Sequence, residues 1–248
     1  MAIEENQKKF TPSKKLGQNF LQDKNILGKI ISLGNLEKNK DHVVEIGPGL
    51  GALTKLLAEN SKTVYAIEKD TRVLVYLKKN LENYSNIELI NKDVLDINFS
   101  SLVCNTKLKL IANLPYNIST PILLKIYNER DLFSQIIVML QKEVGERICS
   151  EKNTKSYGSL SIIFQNYFDT KINFIVPPEA FKPKPKVDSV VISMVPLLKP
   201  RFEVSDEIFF QTFLKTAFSS RRKMLRNSLS NSFDIEIIDR ALSNQRIS

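Results

Sequence analysis

His42-Val-Val-Glu-Ile-Gly-Pro-Gly-Leu-Gly51 decides how this chain folds. The run 42–46 reads as a short strand buried on both faces. The glycine turn follows at once, and Leu53, Leu56 and Leu57 then belong to a helix. Strand, glycine turn and helix are the first half of a nucleotide-binding βαβ unit. The next strand, 63–67, ends in Glu68, about twenty residues past the first glycine, where such folds place an acid against ribose hydroxyls. A helix over 71–81 and a strand over 87–91 follow, with Asp93 just beyond. The glycine spacing is G-x-G-x-G rather than the G-x-G-x-x-G that serves a pyrophosphate at a helix N-terminus. S-adenosylmethionine carries no phosphate and needs glycines only so that backbone can approach it closely. Gly47, Gly49 and Gly51, with Glu45, Glu68 and Asp93, form a set that suits it. On these residues alone another nucleotide, or a purely structural turn, stays open.

Outward from that unit, 108–112 is a further buried strand, and 118–127 has helical apolar spacing. Asn113-Leu-Pro-Tyr116 therefore falls at the carboxyl end of a strand, where open α/β sheets bind ligands. Pro115 pushes Leu114 out of the helical region. Asn113 offers an amide oxygen and two N–H donors, and Tyr116 offers a flat face. Together they can grip a planar group bearing an exocyclic amine. A strand-to-helix turn would also favour Asn and Pro. Further on, 135–140 is a strand, 142–149 a charged helix, 160–167 a helix expected against the sheet, and 172–176 with 187–195 a closing antiparallel strand pair. Four of the ten prolines stiffen the loop between them. After Pro200 there is no glycine and no strand pattern. Helices are expected over 208–218, from 219 onward and over 235–242. This gives an α/β domain over 1–200 and a small all-helical domain over 201–248.

Composition sets the chemical limits. The net charge of +9 suggests a polyanionic partner. No apolar run reaches the length of a membrane span, and the first ten residues, with two acids and no apolar core, read as neither a secretory signal nor a transit peptide. Cytoplasmic residence is expected. The two cysteines, Cys104 and Cys149, make no zinc motif and suit a reducing compartment. His42 is the single histidine, read as an ordinary strand-start residue. No multi-histidine metal site is expected, and the chemistry must run without a conventional histidine base. Two basic clusters are candidate RNA contacts: Lys182, Lys184 and Lys186 on the proline loop, and Arg221, Arg222, Lys223 and Arg226 further on. Solvated charged faces are the competing reading.

Gly17-Gln-Asn-Phe-Leu21, Glu45-Ile-Gly-Pro-Gly-Leu-Gly51, Ile67-Glu68, Asp93, Asn113-Leu-Pro-Tyr-Asn-Ile-Ser-Thr120, Gln141-Lys-Glu143, Pro177-Pro-x-x-Phe-x-Pro-x-Pro-Lys-Val-Asp-Ser189 and Ser220-Arg-Arg-Lys-x-Leu-Arg226 occur in that order. In this the chain resembles the ribosomal RNA adenine dimethyltransferases that act on the small subunit. The resemblance implies a Rossmann-like class I methyltransferase sheet with a small helical C-terminal domain, and S-adenosylmethionine as methyl donor. It implies that Asn19, Leu21, Gly47, Glu68, Asp93 and Asn113 line the donor site. It also implies that Asn113, Leu114, Pro115, Tyr116 and Phe181 surround a target adenine. The implied partner is small-subunit ribosomal RNA or the immature 30S subunit, met by a monomer without a membrane. The erythromycin-resistance methyltransferases share the core and are the nearest rival reading. A mainly non-catalytic assembly factor is the other.

Overall fold

The computed structural model describes residues 12–13, 17–103, 105–220 and 222–245. Arg221 and Cys104 lie outside the described residues, as does the 1–10 stretch read for a leader. In chain order the elements are β1 (Phe20–Leu21), α1 (Lys24–Gly34), β2 (His42–Ile46), α2 (Ala52–Asn60), β3 (Thr63–Ile67), α3 (Thr71–Asn80), β4 (Ile87–Ile90), β5 (Leu108–Asn113), α4 (Ser119–Asn128), β6 (Phe133–Gln141) and α5 (Lys142–Cys149). Then come α6 (Ser159–Tyr167), β7 (Phe168–Val176), β8 (Phe181–Lys182), β9 (Ser189–Pro196), α7 (Glu207–Ala217), α8 (Leu225–Leu229) and α9 (Ile235–Asn244).

Seven strands form one sheet in the order β4-β3-β2-β5-β6-β9-β7. The pairs β4–β3, β3–β2, β2–β5 and β5–β6 are parallel, and β6–β9 is antiparallel. Every residue of β2 is buried, as a central parallel strand covered on both faces requires. The helices start where the sequence offers a side-chain acceptor. Asp23 caps α1, accepting from the N–H groups of Asn25 and Ile26, and Asp70 caps α3 through the N–H of Arg72. Strand order reverses between β2 and β5, so a crevice opens at the carboxyl ends of those two strands. His42 behaves as expected. It is buried in β2, stacked on Tyr65 with ring centroids 6.4 Å apart, and burial lowers its pKa.

A second, two-stranded sheet pairs β1 with β8 antiparallel, Leu21 opposite Phe181 and Phe20 opposite Lys182. Side chains alternate along a strand. Leu21 and Phe181 both join the apolar core, with Leu27, Met139 and Val191.

The chain divides into two compact units. One holds 1–145 and 169–196, the other 146–168 and 197–248. The expected cut at residue 200 therefore needs correction. Segment 146–168, with the helix α6 that was assigned to the sheet, belongs with the C-terminal helices. The reason is local bonding. The Asn166 side chain closes a two-way pair with Phe202, donating to its carbonyl at 3.0 Å and accepting from its N–H at 2.9 Å. The Leu197 N–H donates to the Tyr167 carbonyl, and Tyr157 meets Phe218 edge to face. Within this unit Phe209, Phe213 and Phe233 form an aromatic cluster. The helix expected from 219 begins only at Leu225, because Met224 is still extended (ψ 149°). Arg222 and Lys223 thus precede the helix rather than ride on it.

Candidate active site

A cleft of about 460 Å³ opens at the carboxyl ends of the parallel strands. Four of the five parallel strands deliver a polar group to it: Glu45 from β2, Glu68 after β3, Asp93 after β4 and Asn113 from β5. The turn after β2 supplies Gly47 and Gly49, and the segment 17–22 closes the remaining side. Gly49 has φ +56°, and a Cβ there would stand 2.6 Å from the Phe20 ring. Glycine is needed at this position both for the left-handed backbone and for the ring lying on it. Gly47 sits against Pro115, so the glycine turn and the Asn113–Tyr116 turn touch.

The three acids differ in their surroundings. Glu45 is 2% exposed, and its Oε2 has no hydrogen-bond partner. Burial pushes its carboxyl up to about 8, and the charge of Glu68 pushes the same way. The Thr54 hydroxyl, itself without a partner, stands near enough to pull the value partly back. Burial also raises the Glu68 pKa, against hydrogen bonds from the backbone of Asp70, Gly49 and Lys69. Asp93 lies lower than an ordinary carboxyl because Lys69 bonds to it, at 2.6 Å.

Glu45 gives a pH prediction. Its pKa is raised on folding from 4.5 to about 8. Its stabilising effect is therefore complete below pH 4.5 and is lost as pH rises through 8. Glu45→Gln removes the ionisation while keeping the shape. The variant should gain stability over the parent between pH 5 and pH 9, by an amount on the order of 4 kcal/mol. That is roughly 2–4 °C in Tm per kcal/mol at this chain length. Equal differences in melting temperature at the two pH values would show that Glu45 is not buried as described.

Asn113 carries the sharpest geometry. Its Nδ2 donates to the Asn19 carbonyl at 3.2 Å. Turning the amide over would set two oxygens against each other, so this bond fixes which end is which. The other end, Oδ1, is buried and without a hydrogen-bond partner. A buried acceptor in that state costs about 1–3 kcal/mol unless something fills it. Leu114 follows, buried, its N–H donating to the Met139 carbonyl. Tyr116 opens a short 3-10 turn, half-buried beside the cleft, with its hydroxyl hydrogen-bonded to Ser189 Oγ. Burial raises its phenol pKa.

The cleft thus brings together Asn19, Leu21, Gly47, Gly49, Glu68, Asp93, Asn113, Leu114, Pro115 and Tyr116. Two expected residues fall elsewhere. Phe181 is 5% exposed, in the core with Leu21, and is not among the cleft's lining. Gly51 is also absent from the lining. Its φ of +89° starts α2, and a Cβ there would stand 3.2 Å from Leu77 and Leu81, which makes it a packing glycine. Sequence reading missed Phe20 as the cover of the glycine turn, and Asp70, which ties Gln18 (2.9 Å to its Nε2) to Glu68 through its own N–H (2.8 Å). It also missed Ser189. Among the expected RNA contacts, Lys182, Lys186, Arg222 and Lys223 are exposed. Lys184 is paired with Glu179, and Arg226 with Asp239 at 2.6 Å. Among the described residues no cluster could hold a metal ion, and no helix is long and apolar enough to cross a membrane.

The chain is similar to known proteins. The profile of the ribosomal RNA adenine dimethylase family matches residues 9–248. The chain is 45% identical over 221 residues to a ribosomal RNA small subunit methyltransferase A of Geobacter metallireducens, covering 88% of this chain and 80% of that one. Its counterpart in Streptococcus thermophilus is 45% identical over 248 residues, covering 96% and 85%. Among solved structures, a dimethyladenosine transferase from Plasmodium falciparum superposes with a TM-score of 0.75 at 30% identity, covering 91% of this chain and 80% of that one. The 23S rRNA methyltransferase ErmE shares the fold, with a TM-score of 0.68 at 24% identity, covering 93% and 91%.

Proposed function

Because the chain belongs to the ribosomal RNA adenine dimethylase family, we propose that it transfers two methyl groups from S-adenosylmethionine to N6 of each of two adjacent adenosines in the 3′-terminal hairpin of 16S rRNA. It meets its partner, the immature small subunit, in the cytoplasm and as a monomer. The observation that carries this reading is Asn113, a cleft residue whose amide is pinned through Nδ2 while its buried Oδ1 has no hydrogen-bond partner.

The residues present fit the donor. Gly47 and Gly49 give the turn its left-handed backbone at the edge of the cleft, and Glu68 and Asp93 suit ribose hydroxyls and an adenine edge. The carboxylates also suit the donor's positive charge. When bound, S-adenosylmethionine supplies an electrophilic methyl on a sulfonium. The protein's part is then positioning. An adenine amine is a weak nucleophile because its lone pair is delocalised into the ring. Asn113 Oδ1 and the Leu114 carbonyl accept its two N–H bonds, which favours a pyramidal nitrogen and frees the lone pair. Tyr116 stacks on the base after it leaves its own stack, a contact worth roughly 1–3 kcal/mol. The nitrogen, made cationic and acidic by the new bond, gives its proton to water, so no side-chain base is required.

Mass spectrometry of ribosomal RNA tests the reading, after unmethylated small subunits are incubated with protein and donor. N6,N6-dimethyladenosine in 16S rRNA is expected. Its absence, or methylation of 23S rRNA alone, would overturn the assignment.

RNA affinity should rest on the exposed cations. Replacing Arg222 and Lys223 with glutamine should weaken RNA binding and reduce the salt slope by up to about one unit per lost phosphate contact, with donor affinity unchanged. An unaltered salt slope in a binding titration would make them a solvated face.

A further inference from the structure

Ser189 is fully buried at the start of β9, in register with Gln141 of β6. Its hydroxyl is bonded to that of Tyr116, which stands on the turn after β5. β5 and β9 are both neighbours of β6, one on each side. The bond therefore spans the sheet from one strand to the next but one. The proposed mechanism asks the Tyr116 ring to hold a flat base, and that role needs no hydroxyl. Yet the hydroxyl is bonded inside the protein, to a residue that the sheet itself holds in place.

We infer that Ser189 is a positioning residue for Tyr116, and that this bond sets how completely the enzyme carries adenine through its second methylation. The inference rests on the methyl-transfer reading above. The physical reason lies in the second step. An unmethylated amine presents two N–H bonds, which the Asn113 oxygen and the Leu114 carbonyl can both accept. The monomethylated amine presents one, and its new methyl takes up space where the other hydrogen pointed. With one hydrogen bond fewer to orient it, the base depends more on the ring stacked against it. A ring fixed at both its Cα and its hydroxyl end keeps the monomethylated base in line. A ring fixed only at its Cα lets the base tilt. The first transfer, guided by two acceptors, should suffer less than the second.

The test uses the full chain as Ser189→Ala, Tyr116→Phe and the double variant, acting on unmethylated small subunits in single-turnover reactions, with mono- and dimethyladenosine counted separately. Both single variants should slow the second methylation about five- to twentyfold and the first no more than about threefold, so that monomethyladenosine accumulates. The double variant should match either single one, because one bond has been removed from both sides. Donor affinity should stay close to the parent's, and the melting temperature should fall by no more than the few degrees that one lost hydrogen bond costs. A purely structural role would lower the melting temperature further and slow both steps alike, and that result would overturn the inference. So would an unchanged product ratio in both single variants. If Tyr116→Phe is inactive while Ser189→Ala is not, the hydroxyl acts in the chemistry itself, which also overturns it. Should Ser189→Ala fail to fold, Ser189→Cys, near in size and a poor hydrogen-bonding partner, takes its place in the same comparison. A parent enzyme that makes no dimethyladenosine would instead defeat the reading on which the inference rests.

Discussion

Asn113→Ala should cut the rate of methyl transfer by roughly 10²–10³, the scale for losing one preorganised contact to a transition state. The substitution deletes a buried side-chain oxygen of a cleft residue that has no hydrogen-bond partner within the protein. RNA affinity should barely change, because phosphate contacts dominate it. Asn113 shares the cleft with Gly47, Glu68 and Asp93, so donor affinity must be measured alongside by calorimetry. A single-turnover rate within a fewfold of the parent's, with donor saturating, would mean that the amide oxygen does not hold the amine. Asn113→Asp sharpens the test. It keeps an acceptor facing the cleft but turns a second oxygen toward the Asn19 carbonyl, where Nδ2 now donates. If orientation matters as much as the acceptor, Asp should be nearly as slow as Ala.

Glu68→Ala should weaken donor binding by about 1–3 kcal/mol, the scale of hydrogen bonds to a charged group, or roughly five- to 150-fold in Kd. Glu68 is 8% exposed, so its carboxylate is held by protein rather than water. It accepts the Asp70 N–H at 2.8 Å, and the N–H groups of Gly49 and Lys69 also favour its ionised form. The alanine variant would lose that anchoring of the glycine turn as well as the donor contact. Glu68→Gln keeps an acceptor and should recover part of the affinity. Melting temperatures taken without donor separate the two losses. If calorimetry finds the alanine variant binding donor like the parent, Glu68 does not belong to the donor site.

What the sequence made legible was local. The strands β2 to β6 were readable because a buried parallel strand is a short apolar run, and the glycines marked where β2 turns into α2. The acids at 68 and 93 could be placed because each follows directly on such a run. Asn113 was readable as an acceptor, but the direction of its amide was not, since that depends on the backbone of Asn19, far away along the chain. The burial of Phe181 was illegible for a related reason. In a loop rich in proline it looked like a free aromatic ring, whereas a two-residue pairing with Leu21 turns it into the core. So short a pair leaves no periodic signal. The unit boundary was misjudged because α6 is apolar whether it packs on a sheet or on helices. Side-chain and backbone bonds from Asn166 and Tyr167 to residues beyond 196 decide the matter.

The order of strands in the sheet carries a consequence for the chain as it is made. β9 is the last strand synthesised, yet it lies between β6 and β7. Until it emerges, β6 is an edge with unpaired backbone groups, the kind of surface that recruits foreign strands. β7 has no seat in the sheet, and Tyr116 has no Ser189. β1 waits in the same way for β8, so the cover of the glycine turn remains loose while almost the whole first unit is translated. At roughly 5–20 residues per second that wait is on the order of ten seconds. The glycine turn and its acids can assemble early, from β2 to β5, but the base-holding half of the cleft closes only after residue 196. A nascent chain therefore lacks the Ser189 contact to Tyr116 and the pairing that completes β6 until β9 has been made.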